Sequence, residues 1–178
     1  MPQTIELTLD DELDAAVRAE WDVLAAAGLP SQALHLGLTN APHVTLGVAS
    51  ALDAATIDRL AAVALPDQIW LGGLLVFRGR RSSVVSRAVI PSAALLATHA
   101  AVDAAMTDAP GRPDVTLPGR WTPHVTLARR LDDARLAQAL DLLADVPREL
   151  VGVPSALRHW DSDAKTVHVL RTRQRPSV

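Results

Sequence analysis

The five-residue word PHVTL stands at residues 42–46 and again at 123–127. No other feature constrains this chain of 178 residues as strongly. Displacing the sequence by the 81 positions between the copies aligns more than the word itself. Pro66 falls on Pro147, and Gly72 on Val153 within the similar segments IWLGG and LVGVP. TIELTLD at 4–10 falls against VSRAVIP at 85–91, each alternating as a strand and running into an amphipathic helical stretch. The first stretch should bury Leu13, Val17, Trp21 and Leu24; the second, Leu95 or Leu96, His99 or Val102, and Met106. A helix should also follow each PHVTL. Ile57, Leu60 and Ala61 have helical spacing behind Asp53 as N-cap, and Leu136, Leu140 and Leu143 repeat it behind Asp132 or Asp133.

The unit is thus strand, helix, His-Val-Thr strand, helix, strand. Two copies, about 1–80 and 81–160, predict a single bilobal domain over 1–178. Its class is α+β: a pseudo-two-fold duplication with two mainly antiparallel sheets and outer helices around a central cleft. The period is too long for a solenoid. KTVHVLRT at 165–172 matches the opening strand of a unit that goes no further. It is expected to close the second lobe, with 84–90 serving the first.

Hydrophobic residues make up 49% of the chain, enough for a sizeable interior, and with one Phe and no Tyr that interior is aliphatic. No apolar run approaches the roughly 18 residues of a membrane span, and nothing at the start reads as a signal peptide. With no Cys, disulfides and thiolate metal sites are excluded. The default reading is a soluble cytoplasmic protein, a monomer, with no membrane or DNA partner. Of 17 Lys and Arg residues only Arg18 and Arg59 lie in residues 1–67, so the front is acidic and the back basic. That asymmetry is compatible with a polyanionic ligand docking on one side.

Pro42 and Pro123 start each motif as an extended segment. On a strand, His43 and Thr45 share one face while Val44 and Leu46 enter the core; His124 and Thr126 repeat this over Val125 and Leu127. If the strands lie side by side, two imidazoles and two hydroxyls converge. Such a set suits phosphoryl transfer without a cofactor. One neutral imidazole removes a proton from the attacking group, and the other, as imidazolium, protonates the leaving oxygen. The threonine hydroxyls can donate to the non-bridging oxygens. A metal site is the poorer alternative, since two His without an adjacent carboxylate need His35, His168 or a distant Asp to complete a ligand set.

PHVTLGV at 42–48 and WTPHVTLARR at 121–130, with their spacing inside a duplicated unit, resemble the two-histidine (2H) phosphoesterase superfamily. The closest likeness is to its bacterial RNA 2′-5′ ligase and 2′,3′-cyclic phosphodiesterase branch. The resemblance implies catalytic His43 and His124, phosphate binding by Thr45 and Thr126, and metal-independent opening of a cyclic phosphate or 2′-5′ transfer on a nucleotide or RNA end, as in RNA processing. It also implies a phosphate role for Arg129, although a regular strand would turn Arg129 away from His124, so a bulge or strand end is required. Base stacking falls to Trp121, Phe77, Trp70 or Trp160. A basic surface falls to FRGRRSSVVSR, with Arg78, Arg80, Arg81 and Arg87, unless that segment is only a solvated hairpin turn. The alternative function is a non-catalytic module that binds a nucleotide or RNA end.

Overall fold

The computed structural model describes residues 2–37 and 39–173. Its elements follow the duplicated order. β1 (Gln3–Leu9), α1 (Asp11–Ala26), β2 (His43–Ala49), α2 (Ala54–Ala61) and β3 (Ile69–Arg78) form the first series. β4 (Ser83–Val89), α3 (Ala93–Ala105), β5 (His124–Leu131), α4 (Asp133–Leu142), β6 (Leu150–Gly152) and β7 (Pro154–Asp161) form the second, and β8 (Thr166–Thr172) follows. Among the described residues, all four α-helices begin on a side-chain cap, from Asp10, Asp53, Ser92 and Asp132 respectively. Each cap accepts a backbone N–H that the first turn leaves unpaired.

The strands form two antiparallel sheets, ordered β2-β1-β7-β8 and β5-β4-β3-β6. The α+β expectation is met. Leu13, Val17, Trp21 and Leu24 of α1 are buried, as are Leu95, His99, Val102 and Met106 along α3, while Leu96 faces outward. These helices join β1, β2 and β5 in one aliphatic cluster that includes Ile5, Leu7, Val44, Leu46, Val125 and Leu127.

The sorting of strands corrects one expectation. Residues 166–172 join the first sheet, not the second, and 83–89 belong to the second, not the first. Short turns cause this. β3 and β4 are joined across residues 79–82, where Gly79 N–H donates to the Ser82 carbonyl at 3.0 Å. β7 and β8 are joined across 162–165, where the Asp161 carboxylate accepts from the Asp163 and Ala164 N–H groups. Hairpin strands this closely linked pair with each other. Each sheet therefore takes its third strand from the other repeat: β7 lies beside β1, and β3 beside β4.

β2 and β5 occupy matching edges of the two sheets and pack against each other. That places the two His-Val-Thr segments along one seam.

Candidate active site

Both histidines are anchored in the same way. His43 Nδ1 lies 2.7 Å from the Ala41 carbonyl, and His124 Nδ1 lies 2.8 Å from the Thr122 carbonyl. In each case the acceptor belongs to the residue before the motif's proline. A carbonyl can only accept, so Nδ1 carries the hydrogen and Nε2 is left for chemistry. Val44, Leu46, Val125 and Leu127 are fully or almost fully buried, while His43, Thr45, His124 and Thr126 are half-buried on the opposite face. The period of a strand does this sorting.

A cleft of about 490 Å³ runs along the seam and is lined by Thr45, Thr126, His124, Arg129, Phe77 and Trp121, among others. His43 is not among its lining residues, so the two imidazoles do not share this one cleft, contrary to the expectation from the sequence. His43 shares a small recess with Thr126 and Trp21, and it lines a second hollow of about 300 Å³ with Glu6, His35, Arg158 and Trp160. Its charge is close enough to act on His124. The pKa of His124 is lowered from 6.5 by burial first, and further by the charges of Arg129 and His43, against the opposing hydrogen bond that its ring donates to the Thr122 carbonyl. Phe77 completes that environment, its ring 4.6 Å from the His124 ring and tilted by 57°.

Arg129 reaches the cleft because β5 bulges. Ser86 of β4 pairs with Thr126, but the preceding residue, Val85, pairs with Ala128, so β5 holds one extra residue there. A bulge reverses the alternation beyond it. Leu127 and Ala128 are both buried, and Arg129 turns to the face of His124 and Thr126. β2 bulges at the equivalent place, where Ile5 pairs with Gly47 and Glu6 with Thr45. A Cβ on Gly47 would lie 2.6 Å from Met106 Sδ, so close packing favours glycine there. The residue matching Arg129 in the first lobe is Val48, which carries no guanidinium.

Two indoles cross the seam. Trp121 Nε1–H donates to the Thr45 carbonyl at 2.9 Å, and Trp21 Nε1–H donates to the Thr126 carbonyl at 3.0 Å. Trp121 also stacks on His99 at 3.9 Å, nearly parallel. It lines the cleft as a fixed wall. His99 is buried, with Nε2 2.9 Å from the Thr116 carbonyl.

The remaining candidates are dispersed. Arg80 and Arg81 project from the β3–β4 turn and do not line the cleft, while Arg78 pairs with Asp133 at 3.0 Å. Arg87 does not belong to a basic surface. It is buried against Glu20, with Nη2 to Oε1 at 2.5 Å, and it donates to the Gly72 and Pro147 carbonyls. Trp70 is half-buried in β3. His35 and His168 are exposed, and His159 is buried beside Gln3. Among the described residues no three His, Asp, Glu or Cys side chains gather as a metal site would require. No helix among them is long and apolar enough to cross a membrane.

Sequence reasoning passed over Glu6. This carboxylate is 4% exposed, and its Oε1 lies 3.5 Å from His43 Nε2. Its Oε2 accepts from Arg158 Nε at 2.8 Å. The available signal was its place in TIELTLD, on the face opposite Ile5 and Leu7, but nothing in the sequence sets its register against His43.

Residues 13–172 match the family model described as the 2′-5′ RNA ligase superfamily. No curated protein matches significantly. Among solved structures, TT0787 of Thermus thermophilus is similar with a TM-score of 0.58 and 19% identity, over 96% of this chain and 95% of that one. Kluyveromyces marxianus Usb1 with uridine monophosphate gives 0.51 and 16%, over 95% and 97%. Escherichia coli LigT complexed with 3′-AMP gives 0.52 and 15%, over 94% and 91%. At these identities the likeness is one of fold.

Proposed function

The chain belongs to the 2′-5′ RNA ligase superfamily, and from that premise we propose that it is a metal-independent phosphoesterase acting on nucleotides or RNA ends. Its reaction is the opening of a 2′,3′-cyclic phosphate or the transfer of a 2′-5′ phosphodiester. The observation that carries this reading is the matched pair of imidazoles. Each is fixed through Nδ1 to a carbonyl two residues back, with Nε2 left for proton transfer beside a threonine at the seam. One Nε2 takes the proton of the attacking water or hydroxyl as its oxygen bonds to phosphorus. The other gives its proton to the oxygen whose bond to phosphorus breaks. Thr45, Thr126 and Arg129 supply donors for the non-bridging oxygens, where negative charge grows. Phe77 and the exposed part of Trp121 offer apolar surface for a base. Two solved proteins of this fold, Usb1 and LigT, hold uridine monophosphate and 3′-AMP, which supports a nucleotide as ligand.

The test is incubation with a panel of 2′,3′-cyclic mononucleotides and 2′-5′-linked dinucleotides, with and without EDTA. Product formation unaffected by EDTA is expected. Saturable binding with no product would replace this reading with that of a binding module.

A further inference from the structure

The two motifs match in sequence, but their surroundings do not. Glu6 pairs with Thr45 in the first sheet, and Ser86 pairs with Thr126 in the second, so Ser86 holds the place of Glu6. Arg158 lies across from Glu6, and Leu75 lies across from Ser86. The first lobe thus has a buried ion pair where the second has Ser and Leu. Ser86 is fully buried, and its hydroxyl has no partner among the described residues.

We infer that Glu6 sets the direction of proton transfer: its carboxylate keeps the shared proton on His43 Nε2, making His43 the acid and His124 the base. This rests on the reading under Proposed function and deepens it. Because both Nδ1 hydrogens are committed to carbonyls, a proton added to the pair goes to one Nε2 or the other. On His43 it faces Glu6 Oε1 at 3.5 Å. On His124 it meets Phe77 and the cation Arg129, with no carboxylate among the described residues that line its cleft. The charged and titratable groups around His43 are Glu6 of β1, Arg158 of β7, His35 of the following hollow, and His124 across the seam. Those around His124 are Arg129, His43 and, on the cleft wall, Arg120. Arg158 offsets the net charge of Glu6, so the effect is local to Oε1, whose other contact is the Thr4 hydroxyl at 2.6 Å.

The step balances. Water loses a proton to His124 Nε2 and its oxygen bonds to phosphorus. The bond from phosphorus to the ribose oxygen breaks, and that oxygen takes the Nε2 proton of His43. The leaving oxygen therefore sits on the His43 side and the attacking group on the side of the larger cleft. Exchange with solvent returns the proton from His124 to His43.

Glu6 is a positioning residue, so its test is a leaving-group dependence. Glu6→Gln is assayed on uridine 2′,3′-cyclic phosphate and on its analogue with sulfur bridging at the bond that breaks. In both, water attacks and needs a base, but only the ribose alkoxide needs an acid, because a thiolate leaves unprotonated. The expected result is a loss of about tenfold on the oxygen substrate and less than about twofold on the sulfur one. Equal losses on both would make Glu6 merely structural and overturn the assignment. Ring-nitrogen NMR with one proton on the pair reads the same coupling without turnover. The protonated Nε2 signal should belong to His43 in the unmodified chain and pass in part to His124 in Glu6→Gln; an unchanged distribution overturns the proposal even if neither cyclic phosphate is a substrate. If the single variant does not fold, the double variant Glu6→Gln/Arg158→Gln removes the buried pair as a unit and is read in the same way.

Discussion

The indole N–H of Trp121 donates to the backbone carbonyl of Thr45 at 2.9 Å, tying the loop before the second motif to the strand of the first. Trp21 makes the reciprocal bond to the Thr126 carbonyl. The spacing of the two motifs is therefore held by two hydrogen bonds that cross the seam in opposite senses. Trp121→Phe keeps a ring on His99 but deletes the donor. It should cost about 0.5–1.5 kcal/mol in urea denaturation, the net range for one hydrogen bond. Trp21→Phe should behave alike, and an unchanged midpoint in both would show that these bonds do not hold the seam.

Arg129 should contribute twice. Its guanidinium faces the cleft, and its charge helps to lower the pKa of His124. Arg129→Ala should raise KM for an anionic substrate by about tenfold, the scale of one charge-assisted hydrogen bond. It should also move the acidic limb of the pH–rate profile to higher pH, because His124 then protonates more readily. Measuring the profile separates the two effects.

Stability should fall on mild acidification. Burial lowers the pKa of His99, His124 and His159 below 6.5 in the folded chain. The unfolded chain binds protons at these sites at a higher pH than the folded chain does, so stability rises with pH through that interval. The contribution is fully present above about pH 6.5 and is lost as pH drops through the folded values. Thermal melts between pH 5 and 7.5 check the sign.

The buried Glu20–Arg87 pair links α1 to β4 away from the cleft. Glu20→Ala leaves a buried guanidinium without its carboxylate and should cost about 3–5 kcal/mol. Denaturant midpoints measure this, and kcat at a temperature where the variant stays folded should be unchanged.

Much of this was legible in the sequence because strands and helices have short periods. The 81-residue offset and the alternation within HVTL placed Val44 and Leu46 inside and His43 and Thr45 outside. Arg129 illustrates the limit of that rule. Strict alternation turns it away, and only the bulge at Leu127 and Ala128 brings it back. The exchange of β3 and β7 between sheets follows from two tight turns, and a repeat offset carries no information about which strands a turn pairs. Glu6–Arg158 and Glu20–Arg87 join residues 152 and 67 positions apart, and no local pattern encodes such a partner. Arg87 consequently resembles part of a basic loop in sequence, although it is buried against Glu20.

The most direct test of the two-histidine account is turnover of 2′,3′-cyclic mononucleotides by His43→Ala and by His124→Ala, each beside the unmodified chain and each confirmed folded by its thermal melt. The account predicts a bell-shaped pH–rate profile for the unmodified chain and a loss of about 10²-fold or more in both variants. Full activity in either variant would contradict it.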